Sequence, residues 1–85
     1  MLSVLLPARN AAATLAAALE GLFAQRDAPE FEIVCVDDAS SDATPRILAE
    51  ARARDPRVRI VPGEGRGFVA ALQVGLHHCR GDLIA

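Results

Sequence analysis

Two carboxylates stand side by side at Asp37-Asp38, where the apolar run Phe31-Glu32-Ile33-Val34-Cys35-Val36 stops and the polar turn Ala39-Ser40-Ser41-Asp42 begins. Carboxylates accept hydrogen bonds from a nucleobase imide or a ribose hydroxyl. A strand this apolar is expected to be buried on both faces, as in a parallel sheet. In open parallel sheets, ligands gather beyond the carboxyl ends of the strands. One acid at such a point could simply cap the next helix and meet its positive end. An adjacent pair exceeds what a cap requires.

Two other segments bear on the same chemistry. Pro7-Ala8-Arg9-Asn10 follows the apolar run Leu2-Ser3-Val4-Leu5-Leu6, and Pro62-Gly63-Glu64-Gly65-Arg66-Gly67 follows Arg57-Val58-Arg59-Ile60-Val61. An arginine fork can grip a diphosphate, and glycines let the backbone approach a ligand closely. The glycine-rich loop lacks the Lys and Ser/Thr of a P-loop and the spacing of a dinucleotide fingerprint. It carries weight only as one of three loops on a common rim. Asn10 and Asp42 read as helix caps. His77 and His78, adjacent on a helix, diverge by about 100° and cannot readily hold one metal together.

The elements that must position these residues alternate along the chain. Strands are expected at Leu2–Leu6, Phe31–Val36, Arg57–Val61 and from Asp82 onward. The first helix follows Asn10 and turns Leu15, Leu19, Leu22 and Phe23 to one face. After a turn at Arg26-Asp27-Ala28-Pro29-Glu30 and the second strand, another helix runs from about Asp42 to Arg54, with Ile47, Leu48 and Ala51 inward. Asp55-Pro56 stops it. A third helix carries Phe68, Leu72, Leu76 and Cys79 at helical spacing and ends at Gly81. This β-α-β-α-β-α-β order predicts an α/β fold with a parallel sheet and right-handed crossovers. The apolar first and second strands belong at the centre, and the alternating third belongs at an edge. A spatial order of 3-2-1-4, with helices on both faces, satisfies both.

Composition narrows the class. The 85 residues make one small domain or part of a larger one, and a 52% hydrophobic content excludes a disordered chain. No apolar stretch approaches a membrane span, and no signal peptide is evident. A net charge of −2 gives no pull toward nucleic acid. All basic residues are Arg, which excludes lysine chemistry within the segment. Two cysteines are too few for a disulfide scaffold and lack metal-ligand spacing, which points to a reduced, cytoplasmic compartment. Cys35 reads as a buried, inert thiol.

Ser3-Val4-Leu5-Leu6-Pro7-Ala8-Arg9-Asn10 and Phe31-Glu32-Ile33-Val34-Cys35-Val36-Asp37-Asp38-Ala39-Ser40-Ser41-Asp42-Ala43-Thr44 closely resemble the start of the inverting family-two glycosyltransferases of GT-A fold. Gly67-Phe68-Val69-Ala70-Ala71-Leu72-Gln73-Val74-Gly75-Leu76 and Arg80-Gly81-Asp82-Leu83-Ile84-Ala85 resemble later motifs of that family, with Gln73 where it commonly has Asn. The resemblance covers the whole chain in order. It implies a Rossmann-like GT-A nucleotide-binding half, in which residues 1–85 are the N-terminal nucleotide-sugar-binding part, cut before the metal-binding D-x-D element. It implies transfer of a sugar from a nucleotide diphosphate donor, UDP being the first expectation, to an acceptor hydroxyl with inversion.

Carried over by position, the resemblance puts Pro7, Ala8 and Arg9 around the nucleoside, Asp38 at the base imide and Asp37 near the ribose or in a structural role. It puts Arg66 near the nucleotide. It implies Mg²⁺ or Mn²⁺ for the full-length enzyme, no metal ligands or catalytic base within this chain, and membrane association only through other regions. The segment alone is expected to be inert, and to self-associate or show low thermal stability. Two other readings stand beside it: a receiver- or flavodoxin-like module, and a non-catalytic interaction domain. The first is disfavoured because the acid pair follows the second strand and no Lys is present.

Overall fold

The computed structural model describes residues 1–25 and 30–85. Its elements follow in the order β1 (Leu2–Ala8), α1 (Ala12–Phe23), β2 (Phe31–Asp37), α2 (Thr44–Arg54), β3 (Val58–Pro62), α3 (Phe68–His78) and β4 (Leu83–Ile84). The expected turn after α1 lies, apart from Glu30, outside the described residues. The strands form one sheet ordered β3-β2-β1-β4. Every pairing is parallel, with Leu2 opposite Phe31 and Leu83, and Ile33 opposite Val58. This is the order expected from the contrast between the apolar and alternating runs.

β2 lies at the heart of the sheet because both its faces are apolar. Ile33, Val34, Cys35 and Val36 are wholly buried, each larger side chain contributing about 1.5–3 kcal/mol by burial. Phe31, Ile33 and Cys35 pack under Leu15 and Leu19 of α1 and Leu48 and Ala51 of α2. Val34 and Val36 face the opposite side, with Val61 and Ala71. Burial pushes the Cys35 thiol up to about 12, so it is inert at neutral pH.

The third helix corrects the sequence reading. Phe68 and Leu76 share the helical spacing read from the sequence, but that stripe is not the buried one: they are 68% and 47% exposed. The buried positions of α3 are Ala71 and Gly75, with Val74 packed against the core beside them. A methyl at position 75 would collide with Leu5 Cδ1 and come within 2.9 Å of Val36 Cγ2. Small residues let α3 lie close on β1 and β2, which leaves Phe68, Val69 and Leu76 exposed.

One polar cluster sits inside this fold, at the amino end of the sheet. Glu32 is buried, accepting from the Ser3 hydroxyl at 2.6 Å, the Arg80 N–H at 2.6 Å and Arg59 Nη1 at 2.9 Å. The Gly81 N–H donates to Ser3 Oγ at 2.8 Å, and Arg59 Nη1 also donates to the His78 carbonyl at 2.7 Å. The cluster thereby ties β1, β2 and β3 to the turn between α3 and β4. Burial opposes ionisation of Glu32, but the Ser3, Arg80 and Arg59 donors outweigh it and hold the carboxyl at about 2.

Candidate functional site

The carboxyl ends of β1, β2 and β3 are laced into one rim. The Asp38 N–H donates to the Ala8 carbonyl at 2.9 Å, and the Gly63 N–H donates to the Asp37 carbonyl at 2.8 Å. The loops after β1 and β2 are joined further out. Asn10 Oδ1 accepts from the Ser41 N–H at 2.8 Å, and the Asn10 N–H donates to Ser40 Oγ at 3.0 Å. Asn10 is therefore not the cap expected from the sequence. It adopts a left-handed φ of 49°, which Asn tolerates better than most residues. The second loop caps α1 instead: Thr44 Oγ1 accepts from the Ala11 N–H, and Asp42 Oδ2 accepts from the Ala12 N–H at 3.2 Å. Asp42 Oδ1 also accepts from the Thr44 N–H at 2.9 Å, so one carboxylate serves two helix starts. Hydrogen bonding from Thr44 holds its carboxyl below the usual range.

The two acids of the pair do different things. Asp37 Oδ1 accepts from the Ser40 N–H at 3.2 Å and shapes its own turn. Asp38, only 3% exposed, reaches into the glycine-rich loop. Its Oδ1 accepts from the Gly65 N–H at 2.7 Å, and its Oδ2 from the Gly67 N–H at 3.3 Å. Gly63 permits the approach, since a Cβ there would come within 2.7 Å of Asp38 Oδ1. Gly65 and Gly67 have φ of 71° and 103°, a region other residues enter only with strain. Ala39, directly after the pair, is held at φ 58°, costing about 1–2 kcal/mol for a residue with a Cβ. Strain of this kind concentrates at functional sites.

A cleft of about 180 Å³ opens over this rim, lined by Pro7, Ala8, Arg9, Asp38, Gly67, Phe68 and Ala71. Four of the six expected binding residues thus meet: Pro7, Ala8, Arg9 and Asp38. Asp37 lies next to the cleft with its carboxylate turned to its own loop. Arg66 does not join them; it pairs with Glu64 at 3.2 Å beside a separate surface concavity. Gly67, Phe68 and Ala71 also line the cleft and were missed, because the start of the third helix was read only for its helical spacing. The position of Phe68 directly after a glycine at a helix start was the available signal.

The glycosyl transferase family 2 model matches residues 3–85. The chain belongs to this family. Among its relatives, an undecaprenyl-phosphate 4-deoxy-4-formamido-L-arabinose transferase of Pseudomonas fluorescens is 42% identical over 57 residues, 65% of this chain and 17% of that protein. The mannosyltransferase PcManGT of Pyrobaculum calidifontis, solved with GDP-Man and Mn²⁺, superimposes with a TM-score of 0.89 at 30% identity, over 98% of this chain and 25% of that one. S. aureus TarS 1–349, solved with UDP-GlcNAc, superimposes at 0.77 and 28% identity, covering 98% of this chain and 24% of that one. The chain thus spans about a quarter or less of the relatives it matches. Its sheet and helices match the Rossmann-like GT-A fold.

The family relative's Mn²⁺ raises the question of whether these residues could hold a metal. They do not fit one. Among the described residues no three His, Cys, Asp or Glu side chains come together, and Asp37 and Asp38 each turn Oδ1 into a loop, to the Ser40 and Gly65 amides. Nor is any described helix long and apolar enough to cross a membrane.

Proposed function

We propose that residues 1–85 are the nucleotide-sugar-binding part of an inverting glycosyltransferase, and that the cleft over Asp38 takes the nucleoside of the donor. The observation that carries the reading is the meeting of Pro7, Ala8, Arg9 and Asp38 in one concavity at the carboxyl edge of a parallel sheet. Asp38 Oδ1 is committed to Gly65 at 2.7 Å, while Oδ2 is held loosely by Gly67 at 3.3 Å. Oδ2 therefore retains capacity to accept from the imide N–H of a uracil or guanine. Arg9 is exposed beside it and free to meet the phosphates. Asp37 supports the turn that presents Asp38. Arg66 would have to leave Glu64 to take part.

UDP is the expected nucleotide. The whole enzyme would use Mg²⁺ or Mn²⁺ on the diphosphate, held by residues outside this set, and its acceptor base would also come from elsewhere. Two free thiols fit a reduced, cytoplasmic setting. The test is calorimetric titration of UDP into the wild-type protein and the Asp38→Ala variant. Loss of charge-assisted hydrogen bonds should cost roughly 1.5–3 kcal/mol of binding. Equal affinity in the two proteins would remove Asp38 from the site.

A further inference from the structure

One aromatic side chain stands at this cleft without a packing role. Phe68 is 68% exposed at the first position of α3, and among the large exposed apolar side chains described it alone lines the cleft. Leu76 lies two helical turns away, about 12 Å along the axis. Exposure alone would mean little for a single residue, but this ring lines a concavity and forms an apolar pair with the adjoining Val69, 67% exposed, and covering such a surface with a ligand is favourable. The ring adjoins Gly67, whose N–H is anchored to Asp38 Oδ2, the same oxygen that retains accepting capacity. A planar group donating a hydrogen bond to that oxygen would lie alongside Gly67 and Phe68, with Pro7 and Ala8 also bordering the cleft.

We infer that Phe68 is a stacking platform for the donor's nucleobase, and that the Asp38–Gly67 hydrogen bond positions it by holding the start of α3 against the cleft. The inference rests on the nucleotide reading above and adds a specificity-bearing residue to it. Sequence-tolerant stacking would supply affinity for any base, while Asp38 would select bases that carry an imide N–H. Phe68 belongs to neither buried core cluster, so its replacement should leave the fold intact.

The chain contains neither Trp nor Tyr, so Phe68→Trp introduces its sole indole and a direct reporter of stacking. Titrating that variant with UDP should quench and shift its emission. In calorimetry, Phe68→Ala should weaken UDP binding roughly tenfold, Phe68→Tyr should stay near wild type, and pyrophosphate, which has no base, should bind all three alike. If UDP binds wild type but the indole does not respond and Phe68→Ala binds equally well, the stacking role is overturned while the nucleotide reading stands. If no nucleotide binds the wild-type protein, both fall.

Discussion

At the residue scale, adjacent acids of the same type have separate duties. Asp38 joins the cleft to the glycine-rich loop, and Asp37 serves its own turn. An imide reader should tell UDP from CDP, which differ at the base edge by a donor against an acceptor. UDP is expected to bind at least tenfold more tightly than CDP, and Asp38→Asn, which can donate, should narrow that gap; competition titrations decide it. Ala39 carries the local strain of this junction, and Ala39→Gly should raise thermal stability by about 1 kcal/mol. Glu32 makes the third residue-level prediction. Its carboxyl sits at about 2 in the fold against an ordinary 4.5, so its stabilisation is full above pH 4.5 and is lost as pH falls through 2. That difference is worth roughly 3 kcal/mol. Acid titration of stability should therefore be markedly flatter in Glu32→Gln, which will also be less stable at neutral pH.

At the element scale, the close seat of α3 on the sheet has a measurable signature. Gly75→Ala improves helix propensity by about 1 kcal/mol, but its methyl meets Leu5 and Val36, so overpacking should prevail and destabilise the fold by about 1–3 kcal/mol. Urea unfolding that finds the variant neutral or more stable would contradict this packing. Leu48→Ala, at a wholly buried site, should cost about 2–5 kcal/mol, whereas Leu76→Ala should cost far less. The sheet order was legible because β2 is apolar on both faces and β3 is not. The seat of α3 was not legible, because Ala71 and Gly75 carry almost no hydrophobic signal while Phe68 and Leu76 carry a strong one. Helix periodicity marks a stripe, but close packing on a sheet can select the small residues beside it. Asn10 and Glu32 escaped for another reason: the partners of Asn10 lie 30 and 31 residues away, and those of Glu32 27 to 48. The acid pair and Pro7–Arg9 were legible because each ends a strand.

At the scale of the molecule, three loops of one parallel sheet converge on a single cleft, and the opposite end is closed by the Glu32 cluster. β4 stands at the sheet edge with Ile84 half exposed, and an open apolar edge favours pairing with another strand. The 85-residue chain is expected to self-associate on light scattering and to transfer no sugar from a UDP-sugar even with Mn²⁺, since its described acids make no metal cluster. The central claim concerns the cleft itself, and amide NMR during a UDP titration tests it most directly. The account predicts that shift changes concentrate at Ala8, Arg9, Asp38, Gly65, Gly67 and Phe68, the rim and the loop that Asp38 holds. Changes centred instead on the Arg66–His77 concavity or on the groove that Glu20 and Phe23 of α1 form with Ile47 and Arg54 of α2, or no changes at all, would contradict it.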